Sequence, residues 1–122
     1  MKLAFIGTGK IIADALFAIE PIKEIEKTAI FARPHSKEKA EAFAKQYKCI
    51  VLLKGYNTVI TDGKNVFINK TGNSKMASGG MGDTLTGIIT ALVAQGYSNM
   101  DAALLGAYTH GLAAEYSARD RY

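Results

Sequence analysis

Apolar residues along the chain follow two patterns. Short continuous runs suit buried strands, and runs recurring every three or four residues suit helices packed on one face. Residues 2–6 are the first short run, closed by Gly7, and predict a buried parallel strand. Ile11, Ile12, Ala15, Leu16 and Ile19 then share one side of a helix that Pro21 ends. Residues 27–32 predict a second strand. Arg33-Pro34-His35 turns the chain, and Ser36 is placed to cap a helix bearing Ala40, Phe43, Ala44 and Tyr47. Residues 50–54 form a third apolar run. Residues 58–61 and 65–69 flank Asp62-Gly63-Lys64-Asn65, a hairpin signal. After a glycine-rich stretch, Leu85, Ile88, Ile89, Leu92 and Val93 recur at helical spacing, with Gly96 at the C′ position. Ser98 and Asp101 have capping-box spacing and open a last helix rich in Ala and Gly.

Strand and helix alternate over the first half, which predicts an α/β protein. Right-handed crossovers place the first three strands parallel, with the first between the other two. The hairpin then adds an antiparallel fourth strand and a fifth beyond it. The expectation is a five-stranded, mostly parallel sheet of order 2-1-3-4-5, with the first two helices on one face. At 122 residues the chain has the size of one domain, 1–122.

Composition narrows the function without naming it. Apolar residues make up 48% and charged residues 21%, ordinary for a globular protein. The formal charge of +4 is diffuse, and no basic run interleaved with aromatics marks a nucleic-acid surface. Cys49 is the only cysteine, and His35 and His110 lack ligand-like spacing, so neither a disulfide framework nor a metal site is expected. No apolar run reaches membrane-spanning length, and the first residues do not resemble a signal peptide. A cytoplasmic protein with no membrane partner is expected; homo-oligomerisation is left open.

The candidate chemistry centres on the stretch from Asn69 to Asp83. A glycine-rich backbone leading into a helix presents unpaired N–H groups and the positive end of the helix dipole, which suits a phosphate. Gly79, Gly80, Met81 and Gly82, with Asn69 and Thr71, are the candidate nucleotide or phosphate ligands. Asp83 lies at the mouth of this positive site, as a helix cap or as a proton carrier beside the anion. The same glycine cluster also suits a flexible loop ended by an Asp cap.

The wording from Lys54-Gly55 through Asn69-x-Thr71-Gly72-Asn73, Met76-Ala77-Ser78-Gly79-Gly80-x-Gly82-Asp83 and Leu85-x-Gly87-Ile88 to His110-Gly111-Leu112-Ala113 is specific. It resembles the C-terminal part of ADP- or ATP-dependent NAD(P)H-hydrate dehydratases, in the ribokinase-like superfamily. The resemblance implies that Asp83 moves a proton and that Gly79–Gly82 hold phosphates of ADP or ATP. Met81 departs from it by placing a long side chain where the family has a small one.

Before Cys49 the wording is different. Gly7 and Gly9 match two glycines of the dinucleotide fingerprint, while Ile12 stands at the third. Gly7-Thr8-Gly9-Lys10-Ile11 and Ala32-Arg33-x-x-Ser36-Lys37-Glu38-Lys39-Ala40-Glu41 resemble the N-terminal Rossmann segment of the glucose–fructose oxidoreductase and inositol dehydrogenase family. Arg33 replaces the acidic residue that would hold the ribose of NAD. It favours NADP bound by Gly7, Thr8, Gly9, Lys10 and Arg33, or is a solvated charge at a strand end.

Two resemblances in one domain-sized chain imply a Rossmann-like half over 1–48 and a ribokinase-like half over 49–122, joined in a three-layer sandwich. The expected protein is an engineered or recombined chimera with residual nucleotide-binding loops and no turnover. Its alternatives are a working ADP/ATP-dependent NAD(P)H-hydrate dehydratase, a lyase, and an NADP-binding module. In each reading the partner is a small-molecule nucleotide.

Overall fold

The computed structural model describes residues 2–6, 26–32, 37–55 and 57–119. Its elements are β1 (Lys2–Ile6), β2 (Glu26–Ala32), α1 (Lys37–Tyr47), β3 (Ile50–Leu53), β4 (Thr58–Thr61) and β5 (Val66–Asn69). A 3₁₀ turn (Ser74–Met76), α2 (Met81–Ala94) and α3 (Asn99–Arg119) follow. The predicted helix carrying Ile11 to Ile19 and the Ser36 cap lie outside the described residues.

The strands are hydrogen-bonded in the order β1-β2-β3-β4-β5. β2 is parallel to both β1 and β3, while β4 is antiparallel to β3 and to β5. This corrects the expected order 2-1-3-4-5: β2, not β1, lies between the other two of the first three strands. Consecutive strands tend to be neighbours, and the crossover through α1 steps over a single strand spacing instead of returning past β1. The sheet therefore has no reversal of strand order among its parallel members. The site rests on its antiparallel part, β3 to β5.

The β4–β5 hairpin follows the predicted turn. Asp62 Oδ1 accepts the N–H of Lys64 at 2.8 Å and of Asn65 at 2.7 Å, an Asx turn built by one carboxylate. Those bonds hold its carboxyl below the usual range, the Asn65 N–H first and the Lys64 N–H second. Gly63 takes φ +89°, and a Cβ there would lie 2.6 Å from Lys45 Cγ of α1. Only glycine fits both the turn and the helix above it.

Alternation along the strands divides the core. Val51 and Thr61 face α1, where Ala40, Ala44 and Cys49 complete a small cluster. Leu52 and Ile60 face the other way, onto Leu85 and Ile89 of α2 and Ala102, Ala103 and Ala107 of α3. Helices thus cover both faces of β3 and β4. Among the described residues no helix is long and apolar enough to cross a membrane.

The turn between the last two helices matches the sequence signals. Gly96 N–H donates to Val93 O at 3.0 Å and Tyr97 N–H to Leu92 O at 3.2 Å, a Schellman ending with Gly96 at φ +96°. Ser98 Oγ accepts the N–H of Asp101 at 3.1 Å and donates to its carboxylate at 2.6 Å. α3 then crosses α2 at Gly106, where an added Cβ would lie 2.6 Å from Ile89 Cγ1. Overpacking of that contact makes Gly106→Ala less stable by about 1–3 kcal/mol. Gly87 has open space around it, so Gly87→Ala gains roughly 0.5–1 kcal/mol of helix propensity instead. Urea midpoints should move in opposite directions, and a parallel loss in both variants would refute this packing account.

Candidate functional site

β3 and β5 run towards the same edge of the sheet, and β4 starts there. Lys54, Gly55, Thr58 and Asn69 therefore meet at one end, as ligand-binding residues do at the carboxyl ends of strands in open α/β sheets. Together with Thr71 to Ser74, Met76 to Ser78, Leu85 of α2, and Ala107, His110 and Gly111 of α3, they line a cleft of ≈ 720 Å³.

One wall is a polar seam between residues 69–73 and α3. Asn69 Nδ2 donates to Ala107 O at 3.1 Å. Asn69 Oδ1 accepts from the Thr71 N–H at 3.4 Å and lies 3.0 Å from its hydroxyl, which is also 3.1 Å from Tyr108 O. Gly111 lies directly against Thr71: an added Cβ would be 2.7 Å from both the carbonyl carbon and oxygen. Gly72 N–H donates to Glu115 Oε1 at 2.8 Å, and Asn73 Nδ2 donates to Ala114 O at 2.9 Å. Asn73 Oδ1 accepts the Lys75 N–H at 3.0 Å and caps the 3₁₀ turn.

Beyond Ser78 the walls give way to open backbone. A Cβ at Gly79, Gly80 or Gly82 would meet nothing within 4 Å. Gly80 is the N-cap of α2 at φ +85°, without a side-chain cap. The Thr84 N–H is the first to find a helical acceptor, Gly80 O at 3.0 Å, leaving the preceding first-turn N–H groups without helical partners. Asp83 is exposed in that same first turn. An uncapped helix N-terminus with open glycines fits an anion.

The residues expected from the sequence thus divide. Asn69 and Thr71 are in the cleft, yet their polar atoms are engaged in building its wall. Gly79, Gly80, Met81, Gly82 and Asp83 are not lining residues, but Ser78 before them and Leu85 after them are. Gly7, Thr8, Gly9, Lys10 and Arg33 lie outside the described residues.

Lys54 and His110 were not among the expected site residues. Their signal was present as the Lys54-Gly55 and His110-Gly111 pairs, but only folding brings them into one cleft. The His110 side chain is buried, at 7% exposure. Burial, and then the positive charge of Lys54, hold its imidazole below the usual histidine range.

This α/β arrangement is shared with a ribokinase-like superfamily protein from Enterococcus faecalis, at a TM-score of 0.66 and 26% identity over 95% of this chain and 45% of that one. The profile of the NAD(P)H-hydrate dehydratase family matches residues 22–122, and the chain belongs to that family. It is 50% identical over 86 residues to the bifunctional NAD(P)H-hydrate repair enzyme Nnr of Moorella thermoacetica. That match takes in 69% of this chain but only 16% of the relative's length. An ADP/ATP-dependent NAD(P)H-hydrate dehydratase from Bacillus subtilis, co-crystallised with ATP and Mg²⁺, superposes at a TM-score of 0.67. It is 30% identical, over 79% of this chain and 42% of its own.

These findings overturn the expectation of an engineered or recombined chimera. The family match begins at residue 22 and runs through the supposed junction after residue 48. Nothing in the comparisons supports an oxidoreductase segment, and the dehydratase alternative fits better.

The buried imidazole has a pH consequence. An unfolded histidine takes its proton near pH 6.5, whereas folded His110 resists it. Below about 6.5 the unfolded chain therefore binds more protons, and the folded state loses stability as pH falls through the lowered folded pKa. Urea unfolding at about pH 7.5 and 5.5 should show a shallower acid loss in His110→Gln than in the unmodified chain. Identical losses would show that His110 is not a source of the acid sensitivity.

Proposed function

We propose that this chain carries the phosphate-holding and proton-moving part of an ADP- or ATP-dependent NAD(P)H-hydrate dehydratase, a lyase. The observation behind this reading is the open glycine turn at the uncapped start of α2, with exposed Asp83 one step inside it. Membership of the dehydratase family and the Bacillus subtilis relative co-crystallised with ATP and Mg²⁺ support it.

The nucleotide supplies a phosphate chain whose negative charge needs donors. The backbone N–H groups of Gly79, Gly80, Met81 and Gly82 are the donors assigned to it, with open space beside each of the three glycines. Met81, half-buried at the first helical residue, contributes through its backbone amide, which does not require a small side chain. Lys54, which lines the cleft, adds a positive charge. Asn69 and Thr71 act through shape, by keeping the wall against α3.

Removing water from a hydrate requires a proton to be moved as the hydroxyl departs. Asp83 is the exposed carboxylate beside the anion position, so it is the group assigned to carry that proton.

Two substitutions separate binding from proton transfer. Asp83→Asn keeps the shape and should lower the rate of NADPH recovery from its hydrate by on the order of 10²–10⁴-fold. ADP affinity should persist. Gly82→Val fills space that is empty in the structure, so its urea midpoint should hold while ADP binding falls at least about tenfold. Calorimetric titration gives the decision: ADP binding equally well to Gly82→Val and the unmodified chain would move the phosphate site elsewhere.

A further inference from the structure

We propose that Glu115 is a positioning residue: its carboxylate clamps Gly72 to α3 and thereby holds the open amides at the start of α2 where an anion can use them. The proposal rests on the nucleotide reading above for what the amides bind, but not for how they are held.

The geometry begins with one face of α3. Ala107, Tyr108, Gly111, Ala114 and Glu115 recur at helical spacing, and each meets the segment 69–73. Four of them act through backbone or through the lack of a side chain. Glu115 alone reaches across with its own functional group, from Oε1 to the Gly72 N–H at 2.8 Å, over 43 residues of sequence. A hydrogen bond to an ionised acceptor is among the stronger kinds.

Gly72 is a pivot. It takes φ +113°, and a Cβ there would lie 2.8 Å from Met76 Sδ. The chain then passes through the Asn73-capped 3₁₀ turn, and Ala77 N–H bonds back to Ser74 O at 3.2 Å. Movement at Gly72 is therefore carried as far as Ala77, close to Gly79. Beside Gly79, Gly80 and Gly82 there is open space, so no packed neighbour stands where a side chain would be to restore their position. The amides depend on their two anchors, α2 on one side and the Gly72 clamp on the other.

Amide hydrogen exchange and ADP titration on Glu115→Ala and Glu115→Gln test this. In Glu115→Ala, exchange over residues 72–82 should quicken and ADP affinity should fall about tenfold, while Val51 under α1 keeps its protection. Glu115→Gln retains an oxygen acceptor and should restore both to within about threefold of the unmodified chain. Rescue by Gln separates positioning from general loss of stability. Unchanged exchange over 72–82 in Glu115→Ala would overturn the proposal, as would unchanged ADP affinity beside quickened exchange. If the unmodified chain binds no ADP, the nucleotide reading fails, and the exchange comparison alone decides whether Glu115 positions the loop.

Discussion

The approach of α3 to the segment after β5 is the contact on which the site depends. At Gly111 the helix comes so close to Thr71 that no side chain can stand between them, and at Gly106 it does the same against Ile89. A helix held at two such points buries mostly Ala and Gly, so apolar area contributes little per residue. Hydrogen bonds make up the specificity. The carbonyls of Ala107, Tyr108 and Ala114 accept from Asn69, Thr71 and Asn73, using the second lone pair that a helical carbonyl retains. Close approach and polar seam require each other: the bonds reach only because the glycine lets the backbones meet.

From this seam follows a division of labour around the cleft. Its wall, residues 69–76, is tied to α3 and to itself through Asn69, Thr71, Gly72 and Asn73. Its mouth, Gly79 to Gly82, has open space beside each glycine and is held through carbonyls, Gly80 O by Thr84 and Gly82 O by Thr86. A phosphate site needs both properties, since donors must be free of intramolecular partners yet held in place. Lys54 and the buried His110 also line the cleft, and Lys54 brings it a positive charge.

Much of the local structure was legible in the sequence, because its causes are local. The Asp62 turn, the Gly96 ending and the Ser98–Asp101 cap each arise from bonds between residues no more than five apart. The strand order was not legible. The rule that places the first strand in the middle concerns how sheets wind, and no residue in the crossover states whether it steps over one spacing or two. Nor was the role of Asn69 and Thr71. A polar pair before a glycine loop looks like a set of ligands, but their partners are backbone carbonyls 37 or more residues away. The pairing of His110 with Lys54 was not legible either, because it exists only once α3 lies across the end of β3.

The point where the wording changes character shows why a fusion was a tempting reading. It falls between α1 and β3, where Lys48 takes a left-handed φ of +49° and the Cys49 N–H reaches back to Ala44 O at 3.2 Å. That is a helix ending turning into a strand, a place where hydrophobic periodicity switches from that of a helix to that of a strand in any α/β chain. Across it, β2 and β3 pair in unbroken register from Ala29 with Ile50 to Ala32 with Leu53. A parallel pair of this kind is buried on both faces in most proteins and needs its neighbours on each side. The family match starting at residue 22, ahead of β2, agrees with that register. The change in wording marks a corner of one sheet, and the helix above that corner packs Lys45 onto Gly63 of the very hairpin that leads the chain to its site.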